Sequence, residues 1–402
     1  MNHPCRLGFA GAMLFALAAF EQHGGVQAAG GPVEGNNDTY RVLAPFESGN
    51  LLLFPVVRGG KSAGGSPFIT LDEGIKNGEV EVTEAGKVRG LVRPRGGPIY
   101  PNQGTRGDQV NTLVLVNNSK QPLLLLAGEI VTGGKQDRVI AKDRIVPAGG
   151  DPIDLSVFCI EPGRWTESSV TFGAAGKGPA HGFMVQPTVR QQAMVAKDQQ
   201  RVWDSVRGSI SQMSVAAAPP ARPTQPNGIA AGEGIFSRPM NTTSYAKVMQ
   251  DSSVSAKVDE AAAQGMQARE QVLTQLKQEH AVGVVVAVRG EIVWADLFAD
   301  TELLSRYWTK LVRSYAAESL TAEVQHRTPT ISDAQRFLDA PAGGTETSEG
   351  EVGVYRYREL KSGGTETFVL RSLLPTADYD VHTSKLKVRS EERPVKPVPL
   401  YR

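Results

Sequence analysis

Apolar residues in this chain gather in short, nearly continuous runs, each closed off by turn-forming residues. Residues 113–116, 123–126 (LLLL) and 154–160 are such runs, separated by 117–122 (NNSKQP), Gly133–Gly134 and 147–150 (PAGG). Runs of four to eight Leu, Val and Ile residues bounded this closely predict strands buried on both faces. The stretch 110–165 therefore reads as a β-meander. Residues 51–57 (LLLFPVV) predict an earlier strand, with Pro55 pointing to an edge or a bulge. Residues 69–85 read as a short helix with a break, capped by Thr70 with Asp72 and Glu73 in its first turn.

Helical periodicity takes over further on. Residues 188–210 predict one helix and 252–279 a long amphipathic one, with Val258, Ala262, Met266, Val272 and Leu276 on the apolar face. Residues 282–288 and 291–294, joined by Arg289–Gly290, predict a tight hairpin. Asp300 or Thr301 can cap the helix that follows, in which Leu304, Tyr307, Trp308, Leu311, Val312 and Tyr315 form a wide apolar stripe. A short helix at 332–338 and strands at 351–358 and 367–374 complete the pattern, and the tail from His382 is polar. The fold class expected is α+β: a central, mostly antiparallel sheet with the 110–165 meander, packed against several helices, and a C-terminal hairpin–helix unit.

The two ends and one internal stretch depart from this pattern. Arg6, the apolar run 7–20 and the small residues around Val26–Gln27–Ala28 have the form of a signal peptide, residues 1–28, too short in its apolar part for a stable membrane span. The chain is thus expected to be exported, to the periplasm or beyond. Residues 214–241 are rich in Ala, Pro and Gly and read as a flexible insert, and 321–402 as an extension of short helix and strands.

Composition narrows the function classes. With 43 basic and 42 acidic residues the net charge is +1, which argues against a nucleic-acid partner held by a strong positive field. The one clear basic cluster, 87–95 (KVRGLVRPR), reads as a charge-protected strand edge or an anion-binding rim. Removal of the signal takes Cys5 and leaves Cys159 alone, so no intrachain disulfide forms and Cys159 is expected buried on its strand. Histidines 181, 280, 326 and 382 show no metal-ligand spacing, no Gly–x–Ser–x–Gly elbow is present, and the Gly-rich loop 173–182 lacks the Ser or Thr of a phosphate loop. No cofactor is indicated.

The candidate chemistry lies in the meander. Glu129, Gln136, Arg138, Glu161, Arg164 and Trp165 are polar or amphipathic groups at the exits of strongly apolar strands. They can form a mixed-charge cleft, with carboxylates as acid and base and an arginine clamping an anion, or an ion-pair network that fixes the turns. In the second case Arg164 and Glu161 pair with polar groups of the 129–138 segment. The sequences LLLLAGEIVTGGKQDR and CIEPGRW, and the block from Gly283 to Ala316, resemble the ARG and rhodanese-phosphatase-superfamily-associated protein domain family over roughly residues 51–320. The resemblance places those six residues in the family's polar signature and implies no mechanism. Two readings follow: a binding protein for a small-molecule or protein partner, its oligomeric state open, or a hydrolase or transferase acting on a phosphorylated or ADP-ribosyl-like compound.

Cleavage after Ala28 follows from the N-terminal pattern. N-terminal sequencing of protein from the native envelope fraction is expected to begin at Ala29; a chain that still begins at Met1 contradicts it.

Overall fold

The computed structural model of the chain describes residues 40–59, 65–84, 112–149, 151–164, 166–175, 182–218, 242–267, 269–321 and 327–388. The signal-like segment, the basic cluster at 87–95, Trp165, most of the Gly-rich loop and residues 219–241 of the insert lie outside the described residues.

The chain opens with strands β1 (Tyr40–Val42), β2 (Phe46–Ser48), β3 (Leu51–Arg58) and β4 (Ile69–Thr70), then helix α1 (Leu71–Lys76). Seven short strands follow: β5 (Val80–Glu84), β6 (Thr112–Asn117), β7 (Leu123–Leu125), β8 (Ile130–Thr132), β9 (Arg138–Ile140), β10 (Arg144–Val146) and β11 (Ile153–Cys159). After β12 (Gly173–Ala174) come α2 (Pro187–Gln191), α3 (Gln199–Ala216), α4 (Tyr245–Gln250), α5 (Ser252–Ala261), α6 (Ala263–Gln267) and α7 (Arg269–Gln278). The hairpin β13 (Ala281–Val288) and β14 (Glu291–Phe298) leads into α8 (Thr301–Thr321) and α9 (Ile331–Asp339). Strands β15 (Thr345–Glu351), β16 (Tyr355–Ser362), β17 (Thr365–Ser372) and β18 (Asp380–Lys387) close the chain.

The fold is α+β, and its central sheet is antiparallel, in the order β1-β3-β13-β14-β18-β17-β16-β15 with β2 also on β3. Strand β18 lies between β14 and β17, so residues 345–387 complete this sheet where the sequence suggested an extension. The unbroken apolar run of β3 has a simple cause. Leu51, Leu53 and Val57 face the main core under α8, while Leu52, Phe54 and Val56 face a second core covered by α9. Pro55 does not mark an edge. β3 is paired on both sides, and Pro55 sits between the stretches that pair with β1 and β2, where Leu43 N–H donates to its carbonyl at 2.8 Å and a missing N–H costs nothing. The outer edge of β1 is covered by α9: Val42 N–H donates to Gln335 Oε1 at 2.9 Å, and Gln335 Nε2 donates to the Tyr40 carbonyl at 3.0 Å.

The 110–165 meander does not belong to the central sheet. It builds a separate one, β12-β8-β9-β11-β6-β5, which closes into a small barrel because Thr83 bridges Thr171 and Phe172 N–H donates to the Val82 carbonyl at 2.8 Å. Alternation along its strands directs Val80, Val82, Leu113, Leu115, Val131, Ile140, Ile153, Leu155 and Val157 into the barrel. A three-stranded sheet, β10-β7-β4, lies against it and sends alternate residues to the barrel core and the main core. The helix expected over 69–85 ends at Lys76, since the period switches to two from Val80; its start is as expected, a capping box between Thr70 and Glu73.

Two expected long helices are interrupted for identifiable reasons. The 188–210 helix passes through a π turn, Gln192–Ala196, to Lys197 at φ +52°, where the Nζ group reaches Glu359 at 2.6 Å and Asp198 caps α3. The 252–279 helix breaks into α5, α6 and α7, which wrap around α8; Trp308 Nε1 donates to the Gly265 carbonyl at 3.2 Å, close to where a side chain on Gly265 would press Val312. The hairpin turn is as expected, with Arg289 and Gly290 both at positive φ, and Asp300 caps α8 through Leu303 N–H at 2.8 Å. The strand expected at 351–358 contains the β15–β16 turn at its start. Among the described residues no helix is long and apolar enough to cross a membrane.

Gly283 on β13 lies tightly against the facing strand β14. A Cβ there would lie 2.4 Å from the Asp296 carbonyl oxygen and 2.6 Å from Leu297 Cδ2. Gly283→Ala is expected to destabilise the chain by about 1–3 kcal/mol, the usual cost of overpacking a core. An unchanged urea midpoint would contradict this placement.

Candidate functional site

The Gly133–Gly134 turn leaves carbonyls without strand partners, and Arg164 closes over it. Its Nε donates to Glu161 Oε2 at 2.6 Å, Nη1 to the carbonyls of Gly134 at 3.0 Å and Thr166 at 2.8 Å, and Nη2 to the Gly133 carbonyl at 3.3 Å and Asp137 Oδ1 at 3.4 Å. Every donor of the guanidinium is thereby used. Glu161 Oε2 also accepts from the Asp137 N–H at 3.2 Å, and Asp137 Oδ2 accepts from Ser244 Oγ at 2.7 Å. Arg164 and Glu161 thus do pair with the 129–138 segment and tie the end of β11 to the neighbouring turn. Burial raises the Asp137 carboxyl against the hydrogen bond from Ser244, with Glu161 adding to the rise.

The remaining signature residues go elsewhere. Glu129 points toward α8, where its Oε1 accepts from Lys310 Nζ at 2.6 Å and its Oε2 from the Leu126 N–H at 2.7 Å; Lys310 also meets Asp72 at 2.5 Å. Two carboxylates share one buried ammonium. Burial raises Glu129 with Asp72 adding to it, and the carboxylates hold Lys310 above its usual range despite burial. Arg138 turns into the barrel, its Nη1 bonded to the Gln136 carbonyl at 2.6 Å and its Nη2 3.7 Å from Glu84 Oε1. Glu161 and Arg164 therefore meet, Glu129 lies apart beside α8, Arg138 lies within the barrel, and Trp165 falls outside the described residues. Cys159 is buried as expected, and burial pushes its thiol up to about 12.

The largest polar constellation involves residues that the sequence reading did not select. Asp296 on β14 sits inside the main core, its side chain 0 % exposed. Arg190 grips it with two bonds, Nη1 to Oδ2 at 3.0 Å and Nη2 to Oδ1 at 3.3 Å, and stacks its guanidinium 4.4 Å over Trp294. Ser384 Oγ at 2.7 Å, Trp294 Nε1 at 3.1 Å and the Tyr315 hydroxyl also donate to Asp296. His382 on β18 stands between two carboxylates, Nδ1 2.6 Å from Asp143 and Nε2 3.2 Å from Asp296, the second contact close but poorly aligned. Asp143 in turn accepts from the Ala127 N–H at 2.7 Å. Burial would lower the imidazole, but Asp143 and then Asp296 outweigh it and raise His382 to about 9. Burial would raise Asp296, but Arg190 and His382 hold it well below the usual carboxylate range. Two anions and two cations cancel. The one sequence signal was an aspartate set in the otherwise apolar run VWADLF, and its partners lie in other elements.

This arrangement can hold charge and orient strands, but its members face one another rather than an opening. Among the described residues no group of three or more His, Cys, Asp or Glu is placed to hold a metal ion. Comparison with known proteins finds that residues 39–386 match the family described as ARG and Rhodanese-Phosphatase-superfamily-associated Protein domain. The match extends through β15–β18, beyond the stretch read by resemblance. No curated protein and no solved structure matches.

The raised His382 carries a pH dependence whose sign is fixed. A histidine at about 9 when folded and near 6.5 when unfolded stabilises the fold fully below pH 6.5, and that contribution is lost as pH rises through 9. About 3 kcal/mol is at stake. Urea unfolding is expected to show a midpoint that falls between pH 6.5 and 9, and His382→Asn is expected to flatten this slope; an equally steep slope in the variant removes His382 as its source.

Proposed function

Because this chain belongs to the ARG and Rhodanese-Phosphatase-superfamily-associated Protein domain family, whose description names an association and no reaction, we propose that it is an exported binding protein. Export rests on Arg6, the apolar run 7–20 and Val26–Gln27–Ala28. The binding reading rests on one observation: the acid and base candidates of the signature are occupied by fixed partners within the fold. Glu161 is held by Arg164 and a backbone N–H, and Glu129 by Lys310 and a backbone N–H. An acid–base catalyst must come within hydrogen-bond reach of a substrate proton, and these carboxylates are spent on the chain itself. Among the described signature residues, Arg138 keeps unpartnered buried donors, Nε and Nη2, at one end of the barrel.

Protein from the envelope fraction is the material for the test. It is expected to leave a phosphomonoester and an ADP-ribosylated peptide unchanged, and to gain a few degrees in melting temperature with at least one member of a panel of small polar metabolites, as ligand linkage requires. Turnover that disappears in Glu161→Gln, with melting unchanged, replaces this reading with the hydrolase or transferase.

A further inference from the structure

Glu84, Arg138 and Cys159 share one end of the barrel interior. The register shows why: Glu84 has the parity of Val80 and Val82, Cys159 that of Ile153, Leu155 and Val157, and Arg138 that of Ile140, all barrel-core residues. Cys159 and Arg138 are direct cross-strand partners. Charged and polar groups thus terminate an apolar barrel whose remaining interior is aliphatic and aromatic.

The hydrogen bonds at this end do not close. Arg138 is fully buried, yet its Nε and Nη2 have no hydrogen-bond partner, and Nη2 stays 3.7 Å from the nearest Glu84 oxygen. Glu84 Oε1 accepts from the Lys135 N–H at 3.0 Å, while Oε2, also buried, has no partner. Gln136, whose backbone carbonyl holds Arg138 Nη1, is buried with its side-chain oxygen unpartnered. Donors of Arg138 and an acceptor of Glu84 are therefore left over side by side, where each unmet group costs as much as a lost hydrogen bond. Elsewhere in the signature the opposite holds, since Arg164 uses all its donors.

We propose that this end of the barrel is a binding site for a small uncharged group that both accepts and donates hydrogen bonds, a carboxamide or hydroxyl end-group, with ordered water as its smallest form. Neutrality follows from the Arg138–Glu84 pair, which leaves no net charge to match. The guanidinium supplies donors to an oxygen acceptor, and Glu84 Oε2 and Gln136 Oε1 accept from N–H or O–H of the same group. Barrel mouths are a common location for such pockets. The proposal rests on the binding reading above and names its ligand class.

A crystal structure of the full chain, with crystals soaked in acetamide and, separately, in acetone, tests it. The expected result is non-protein density within hydrogen-bond distance of Arg138 and of Glu84 Oε2 or Gln136 Oε1, replaced by acetamide in the first soak and not by acetone, which cannot donate. Density that remains water in both soaks upholds the site but removes the small-molecule reading of the function, if the metabolite panel also fails to shift melting. Arg138 and Glu84 closed directly on one another, with nothing between them, overturn the proposal whatever the panel shows.

Discussion

The structure depends on the neutralisation of one buried carboxylate. Asp296 lies mid-strand in the central sheet, and an isolated charge there would be far costlier than any single apolar contact could offset. Arg190, from the segment preceding the π turn, and His382, from the last strand, bring it to electrical balance, with Tyr315 of α8 and Ser384 of β18 filling the remaining lone pairs. His382 extends the network to Asp143, which also receives the Ala127 N–H beside the barrel. One polar cluster thus connects the central sheet, its covering helix and the loop between β9 and β10. Gly128 is part of the same constraint. It sits at φ +94°, and a Cβ would fall 2.6 Å from Arg190 Cγ, so only glycine lets the arginine reach its partner.

Apart from Glu129, which pairs with Lys310 on α8, the polar groups in and beside the family signature form two contrasting sets. Arg164, Glu161 and Asp137 form a closed clasp whose members satisfy one another and hold a glycine turn. Arg138 and Glu84 form an open pair at the end of the barrel. Saturated networks make a fold specific, while buried groups with unmet hydrogen bonds mark the places where something other than the chain is expected to contribute. That division ties the binding reading to the barrel end and away from the turn that carries most of the signature's charge.

The central sheet explains why the C-terminal strands belong with the rest. β18 supplies His382 and Ser384 from between β14 and β17, so without it Asp296 would keep only part of its compensation. β3 is buried on both faces by α8 and α9, and the outer edge of β1 beside it is closed by Gln335 in place of another strand.

Local signals were legible in the sequence because each depends on a few adjacent residues. The cap at Thr70, the cap at Asp300, the Arg289–Gly290 turn, the strand at 51–57 and the burial of Cys159 are all set by neighbours in the chain. Even the tie between Arg164 and the 133–137 turn was accessible, as both ends leave strands of one meander. The closure of that meander into a barrel was not, because it rests on the bridge between Thr83 and Thr171, strands far apart in sequence. The breaks in the two long helices came from contacts with α8 and β16, which periodicity does not carry. The Asp296 network lay furthest from reach: Asp143 and His382 are 239 residues apart, and Arg190 and Asp296 106. A charged residue in an apolar run announces that it needs a partner, but only tertiary packing decides which distant residue provides it, since the energy of pairing exists only where water has been excluded.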